Sequence, residues 1–186
     1  WTMEAQFASA FLKVGVQLGA DGQAQPYAEV LDLDDVAYDL DARAWEQLQF
    51  FGNRYTLPLE VVRASELYDQ EAAKQLHPTS GPGSGGDTDP GERSSTLSGG
   101  RVSYAVPFED RVDLWDIWLP RHRMLLTVAD ADKGLILRSM ELEPSLSSPY
   151  HKLDFTNVPG NLQGLSPVSL LRDLAAALNQ LVGKVV

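Results

Sequence analysis

An α+β fold, with a small antiparallel sheet or sheets framed by amphipathic helices, is expected from three features of this 186-residue sequence. Short β-prone runs bounded by turn residues recur in both halves. The C-terminal segment repeats apolar residues at three- and four-residue spacing, which is a helical period. Between the halves, Gly, Pro, Ser and Thr make up about three quarters of residues 77–100, the composition of a flexible tether. With 44% hydrophobic residues, the chain can build one ordinary core or two small ones.

Taken in order, residues 7–16 mix apolar and β-prone side chains, including Phe11, Val14 and Val16. Gly19, Asp21 and Gly22 then make a turn before a second run at 27–33, so the two read as a hairpin. Trp45, Leu48 and Phe51 recur at helical spacing and predict a helix over 42–51, followed by a short extended piece, Arg54, Tyr55 and Thr56. Pro58 suits the first turn of a helix, and Leu59, Val62, Leu67 and Leu76 can share one flank of it up to the tether. Beyond the tether, runs at 101–106, 112–119, 123–129 and 135–140, separated by Pro120 and a turn at 130–134, predict a small antiparallel sheet. The alternation in 112–118 is imperfect, so both faces of that strand should be partly covered. The last segment is a helix: Ser166 can cap it, Pro167 fits its first position, and Leu171, Leu174, Leu178, Leu181, Val182 and Val185 form its apolar stripe. Arg172 and Lys184 lie to the side, and Ala175, Ala176 and Ala177 would let a neighbouring helix come close.

Composition excludes several chemistries. The absence of Cys removes disulfides, thiolate metal sites and cysteine nucleophiles. Fifteen Lys and Arg against twenty-six Asp and Glu give a net charge of -11, which offers no general grip on nucleic-acid phosphates. No run of eighteen apolar residues and no signal-peptide pattern occurs, so no membrane partner is expected. The start on Trp1 and the end on Val186, within an amphipathic pattern, suggest an internal piece of a longer polypeptide.

Asp32, Asp34, Asp35, Asp39 and Asp41 form the one carboxylate cluster that a metal-dependent hydrolase could use with Mg or Mn. It departs from a calcium loop, because Val36 and Ala37 stand where a ligand and a turn Gly are needed. Capping and solvation explain the cluster better. His77, His122 and His151 lack partners at metal-site spacing, and the glycines at 81–86 lack the Lys-Ser or Lys-Thr of a phosphate loop. No G-x-S-x-G elbow is present. Trp115 and Trp118, with Tyr104 and Phe108, could form an aromatic platform, but the basic groove that single-stranded nucleic acid needs is missing. Arg121, His122 and Arg123 are the one basic knot, suited to a partner's carboxylates or a single phosphate. Catalytic, cofactor and metal residues are therefore not assigned, and no cofactor is expected.

Residues 30–62, "VLDLDDVAYDLDARAWEQLQFFGNRYTLPLEVV", resemble a segment of tailed-bacteriophage portal proteins, the head-to-tail connectors. There an acidic "D-P-D-A" turn precedes a Trp-containing helix, a short strand and a Pro-started helix; here Leu40 replaces the Pro. Residues 149–179, "PYHKLDFTNVPGNLQGLSPVSLLRDLAAALN", are similar to that family's approach to a long helix. "DLWDIWLPRHRMLLTVAD" is similar to its "y-E-i-w-d" strand pair, with Asp116 for Glu, and "ASAFLKVGV" to its "G-x-G-F-x-K-V" strand. The resemblance spans most of the chain outside the tether.

It implies a structural, non-enzymatic virion subunit at the capsid's portal vertex, assembled in the host cytoplasm. About twelve copies would form a homo-oligomeric ring through which double-stranded DNA passes during packaging and ejection. The partners it implies are the terminase large subunit, the head-tail adaptor and capsid proteins. It places 1–76 as a wing- and stem-like portion, 77–100 as a flexible segment, 101–148 as a clip-like β subdomain and 149–186 as a stem-like strand and helix. Leu171, Leu174, Leu178, Arg172 and Lys184 then become candidates for the subunit interface or channel helix. Trp115, Trp118, Arg121 and Arg123 become candidates for adaptor or terminase contact. The alternatives are the hydrolase above and a peptide- or adaptor-binding module that accepts a strand at a sheet edge.

Overall fold

The computed structural model describes residues 9–18, 23–81, 108–131, 134–143 and 148–185. The fold is mixed α and β, with two antiparallel sheets and few helices. It divides into two compact units that interleave along the chain. One comprises Trp1–Leu33, Tyr38–Gln49 and Leu146–Val186, and the other Asp34–Ala37 and Phe50–Ser145. The expected strand at 101–106 and the turn at 19–22 lie outside the described residues.

The first unit is built on the expected hairpin. Strand β1 (Ser9–Leu18) pairs antiparallel with β2 (Ala24–Leu31) from Phe11 opposite Leu31 to Leu18 opposite Ala24. A late strand, β8 (Tyr150–Asp154), adds to the other side of β1, giving the order β2-β1-β8. Phe11 is fully buried, with its ring centroid 6.2 Å from those of both Tyr38 and Trp45. Leu48, Tyr150 and Leu162 are buried in the same unit. Polar groups stitch the loop after β8 to this sheet: Gly164 N–H donates to Ser9 Oγ at 3.0 Å, and Lys152 Nζ donates to the Leu162 carbonyl. Lys152 also pairs with Asp154 at 2.6 Å, and both side chains are largely buried.

The second unit is a five-stranded sheet in the order β3-β4-β5-β6-β7. Its strands are β3 (Val36–Tyr38), of which Tyr38 belongs to the first unit, β4 (Phe51–Pro58), β5 (Arg111–Leu119), β6 (Met124–Ala129) and β7 (Ile136–Glu141). The runs expected beyond the tether at 112–119, 123–129 and 135–140 thus do form a sheet. It extends further than expected, because β4 from before the tether pairs with β5 along its whole length. The chain on either side of the tether is therefore one sheet, and residues 79–81 at the tether's start are anchored to it. Thr79 N–H donates to the Arg111 carbonyl at 2.8 Å, and Arg111 N–H donates to the Ser80 carbonyl at 2.7 Å. Gly81 follows with φ +123°, where an added Cβ would meet Asp110 Cα at 2.7 Å, so only glycine fits that turn.

Two helical expectations are corrected. Residues 42–51 contain only a 3-10 turn, Trp45–Gln47, after which the chain enters β4 at Phe51. Phe51 lies opposite Trp118 and is fully buried, so cross-strand aromatic packing outweighs the local helical spacing. The long helix expected from Pro58 to Leu76 is split into α1 (Leu59–Ala64) and α2 (Gln70–Lys74). Asp69 causes the break twice over. Its carboxylate caps α2 by accepting from Glu71 N–H at 2.8 Å and Ala72 N–H at 3.1 Å, and its own N–H donates to the Leu137 carbonyl of β7 at 2.8 Å. Leu67, expected on the buried flank, is 65% exposed in the break. Leu59, Val62, Ala72 and Leu76 from these short helices pack on Val112, Leu114, Ala129 and Leu137 of the sheet. The final helix, α3 (Pro167–Val185), is as expected.

Candidate functional site

The first candidate surface is α3. Every described side chain from Val168 onward is exposed, apolar and polar alike. Val168, Leu171, Leu174, Leu178, Leu181 and Val182 are between 47% and 64% exposed. These residues recur mostly at three and four positions, so they lie on one flank about 21 Å long at a rise of about 1.5 Å per residue. Leu171, Leu174 and Leu178 thus stand together on that flank, with Arg172 exposed beside them. Lys184 falls in the last turn, and its side chain lies outside the described residues. Among the described residues no helix is long and apolar enough to cross a membrane.

The second candidate surface is the β5–β6 hairpin. Its connection is a 3-10 turn, Pro120–His122, closed by Arg123 in the left-handed conformation at φ +51°. Arg121, His122 and Arg123 all project as exposed side chains, so the basic knot is a surface feature. The two tryptophans do not form a joint surface. They are three residues apart on a strand, so they point to opposite faces. Trp115 is half-buried on one face and donates its indole N–H to Asp130 Oδ1 at 3.1 Å. Trp118 is 5% exposed on the other face, packed in the row Phe51, Trp118 and Leu125. Trp118 is therefore removed from the contact candidates. Phe108 is fully exposed, and Tyr104 lies outside the described residues.

The five clustered aspartates are divided between the units: Asp34 and Asp35 belong to one, and Asp32, Asp39 and Asp41 to the other. Asp35 receives Arg54 Nε at 3.0 Å and Nη2 at 2.8 Å, and that hydrogen bond raises the Arg54 pKa above its ordinary value. Asp39 accepts from Asp41 N–H at 3.1 Å, a local turn contact. Among the described residues no group of three or more His, Cys, Asp or Glu could hold a metal ion.

Two carboxylates that sequence reasoning left aside are the most buried in the second unit. Asp113 is 1% exposed and accepts from Thr56 Oγ1 at 2.6 Å. Asp116 is 8% exposed and accepts from Thr127 Oγ1 at 2.6 Å and from the Tyr55 hydroxyl at 3.1 Å. Burial, followed by the negative charge of Asp116, drives the Tyr55 pKa far above its ordinary value of 10.0. These networks lie inside the sheet and have hydroxyl partners, so they read as sheet-specifying contacts. A signal was present in the sequence: Asp116 occupies an even position among Val112, Leu114 and Trp118, all of which are buried.

Arg63, Lys74 and His77 were likewise not grouped in the sequence reading. They line a groove of about 950 Å³ between the ends of the short helices and the β6–β7 connection. No sequence signal could have joined them, because Arg63 lies on α1 while Lys74 ends α2 and His77 follows it, and the separation of the two helices was itself unexpected. No protein-family model matches the chain, and no curated protein matches its sequence.

Proposed function

We propose that the chain is a structural subunit of a ring-forming conduit for double-stranded DNA, of the tailed-phage portal kind, and that it carries out no bond chemistry. The observation that carries this reading is the bare apolar flank of α3. Most helical stability in proteins comes from packing an apolar face. Burying six such side chains would contribute on the order of 1 kcal/mol each, enough to drive association between copies. Leu171, Leu174 and Leu178 are the proposed contact, with Arg172 and Lys184 at its margin.

The charge of -11 agrees with the same role. Repeated around a ring, it produces a negative wall that lets a polyanion slide without adhering. The wing, stem and clip assignments of the sequence reading are part of this proposal, as are the virion location and the terminase, adaptor and capsid partners. At the clip, Trp115, Arg121 and Arg123 are the proposed contact for an adaptor, with the two exposed arginines meeting its carboxylates. Nothing comparable favours the hydrolase, for which no group of three or more carboxylates or His is gathered among the described residues.

Negative-stain electron microscopy of the purified protein tests the reading. Particles with rotational symmetry and a central opening are expected. A uniform field of single compact particles at micromolar concentration would count against it.

A further inference from the structure

We propose that the groove lined by Arg63, Lys74 and His77 binds a phosphoryl group. The proposal does not rest on the ring reading. The chain around Leu76 places the three basic residues on the lining of one groove. Helix α2 ends at Lys74, Leu76 turns inward to 2% exposure, and His77 follows it outward. From α1, Arg63 reaches across and donates from Nη2 to the Leu76 carbonyl at 3.2 Å, two residues beyond Lys74 and one before His77. That bond uses one of the five N–H donors on the guanidinium.

The composition of the groove runs against that of the chain. Asp and Glu outnumber Lys and Arg by twenty-six to fifteen overall, yet no Asp or Glu lines the groove among the described residues. Glu60 lies 3.8 Å from Arg63 Nη1 with an 89% exposed side chain, and such a pair contributes little. Stabilising a helix C-terminus is an insufficient reason for three bases here, because α2 has only five residues and its dipole is correspondingly small.

The ligand class follows from the donors. A guanidinium, an ammonium and an imidazole approaching from separate backbone positions match a group with several acceptor oxygens and more than one negative charge. A phosphate monoester has both, whereas a carboxylate offers two oxygens and one charge. Leu76, Pro78 and Leu135 add an apolar wall, and a volume of about 950 Å³ lies within the range that holds a nucleotide-sized molecule.

Isothermal titration calorimetry at low ionic strength, with inorganic phosphate, AMP and a short DNA duplex as separate probes, tests the proposal. Saturable binding at one site per chain is expected, weakened about tenfold by Lys74→Gln and by His77→Gln. Arg121→Gln should leave it unchanged. Tighter binding of AMP would make the source a free phosphate ester. Tighter binding of the duplex, with the same sensitivity to Lys74→Gln, would make the source a nucleic-acid backbone. Lys74 and His77 are exposed, so their variants keep the fold, and melting curves recorded alongside verify this. Absence of saturable binding to any of the three probes, or binding indifferent to both substitutions, overturns the proposal.

Discussion

Asp116 shows how a single side chain organises the five-stranded sheet. Asn53, Asp116 and Thr127 stand opposite one another across β4, β5 and β6, forming a polar row between two apolar ones. A buried carboxylate is tolerated here because hydroxyl donors from both neighbouring strands reach it. Asp116→Ala should strand the Thr127 hydroxyl, remove one partner of Tyr55 and lower unfolding free energy by about 3 kcal/mol, measured by urea denaturation. Tyr55 gives a pH signature. Its folded pKa is raised above the unfolded value of 10.0, so the folded state holds the proton more tightly. The stabilisation is complete below pH 10 and is lost as pH rises beyond it, with a slope of about 1.4 kcal/mol per pH unit. In Tyr55→Phe the alkaline decline should be shallower, with Tyr38, whose pKa burial also raises, as a remaining contributor. These contacts were illegible in the sequence because Tyr55 and Asp116 are 61 positions apart, and no local period reports such a pair.

At the scale of elements, legibility depended on whether local pattern and tertiary partners agreed. The β1–β2 hairpin and the strands β5, β6 and β7 were readable because each is a short β-prone run between turn signals, and pairing only reinforced that. The stretch 42–51 misled because Trp45, Leu48 and Phe51 imitate a helical flank while serving a turn and a strand start. The stretch 58–76 misled because one side chain, Asp69, caps a new helix and docks on β7. Helix α3 was fully readable, and its exposed flank separates two roles that a buried flank would confound. Leu174 and Leu178 are 62% and 59% exposed, so the double substitution Leu174→Glu, Leu178→Glu should alter the thermal unfolding midpoint of the isolated chain by only a degree or two. The same change should abolish concentration-dependent association, as followed by sedimentation velocity. A large loss of stability without association would instead assign the flank to internal packing.

For the whole molecule, the interleaving of two units ties the chain's two halves to each other. The first unit takes β8 from the C-terminal part to complete a sheet begun at β1, while the second spans the tether with β4 and β5. This non-local pairing explains why the division of the chain could not be read from the compositional break alone. Composition marks where the backbone need not be packed, whereas strand pairing decides what folds together. In the assembly proposed here, an acidic body presents one helical flank for a neighbouring copy and leaves the passing duplex unheld. Multi-angle light scattering coupled to size exclusion, across a hundredfold range of concentration, tests that claim most directly. A discrete particle of many copies, reduced to single chains by Leu174→Glu, Leu178→Glu, is the result expected. A mass of one chain throughout, unchanged by those substitutions, would contradict it.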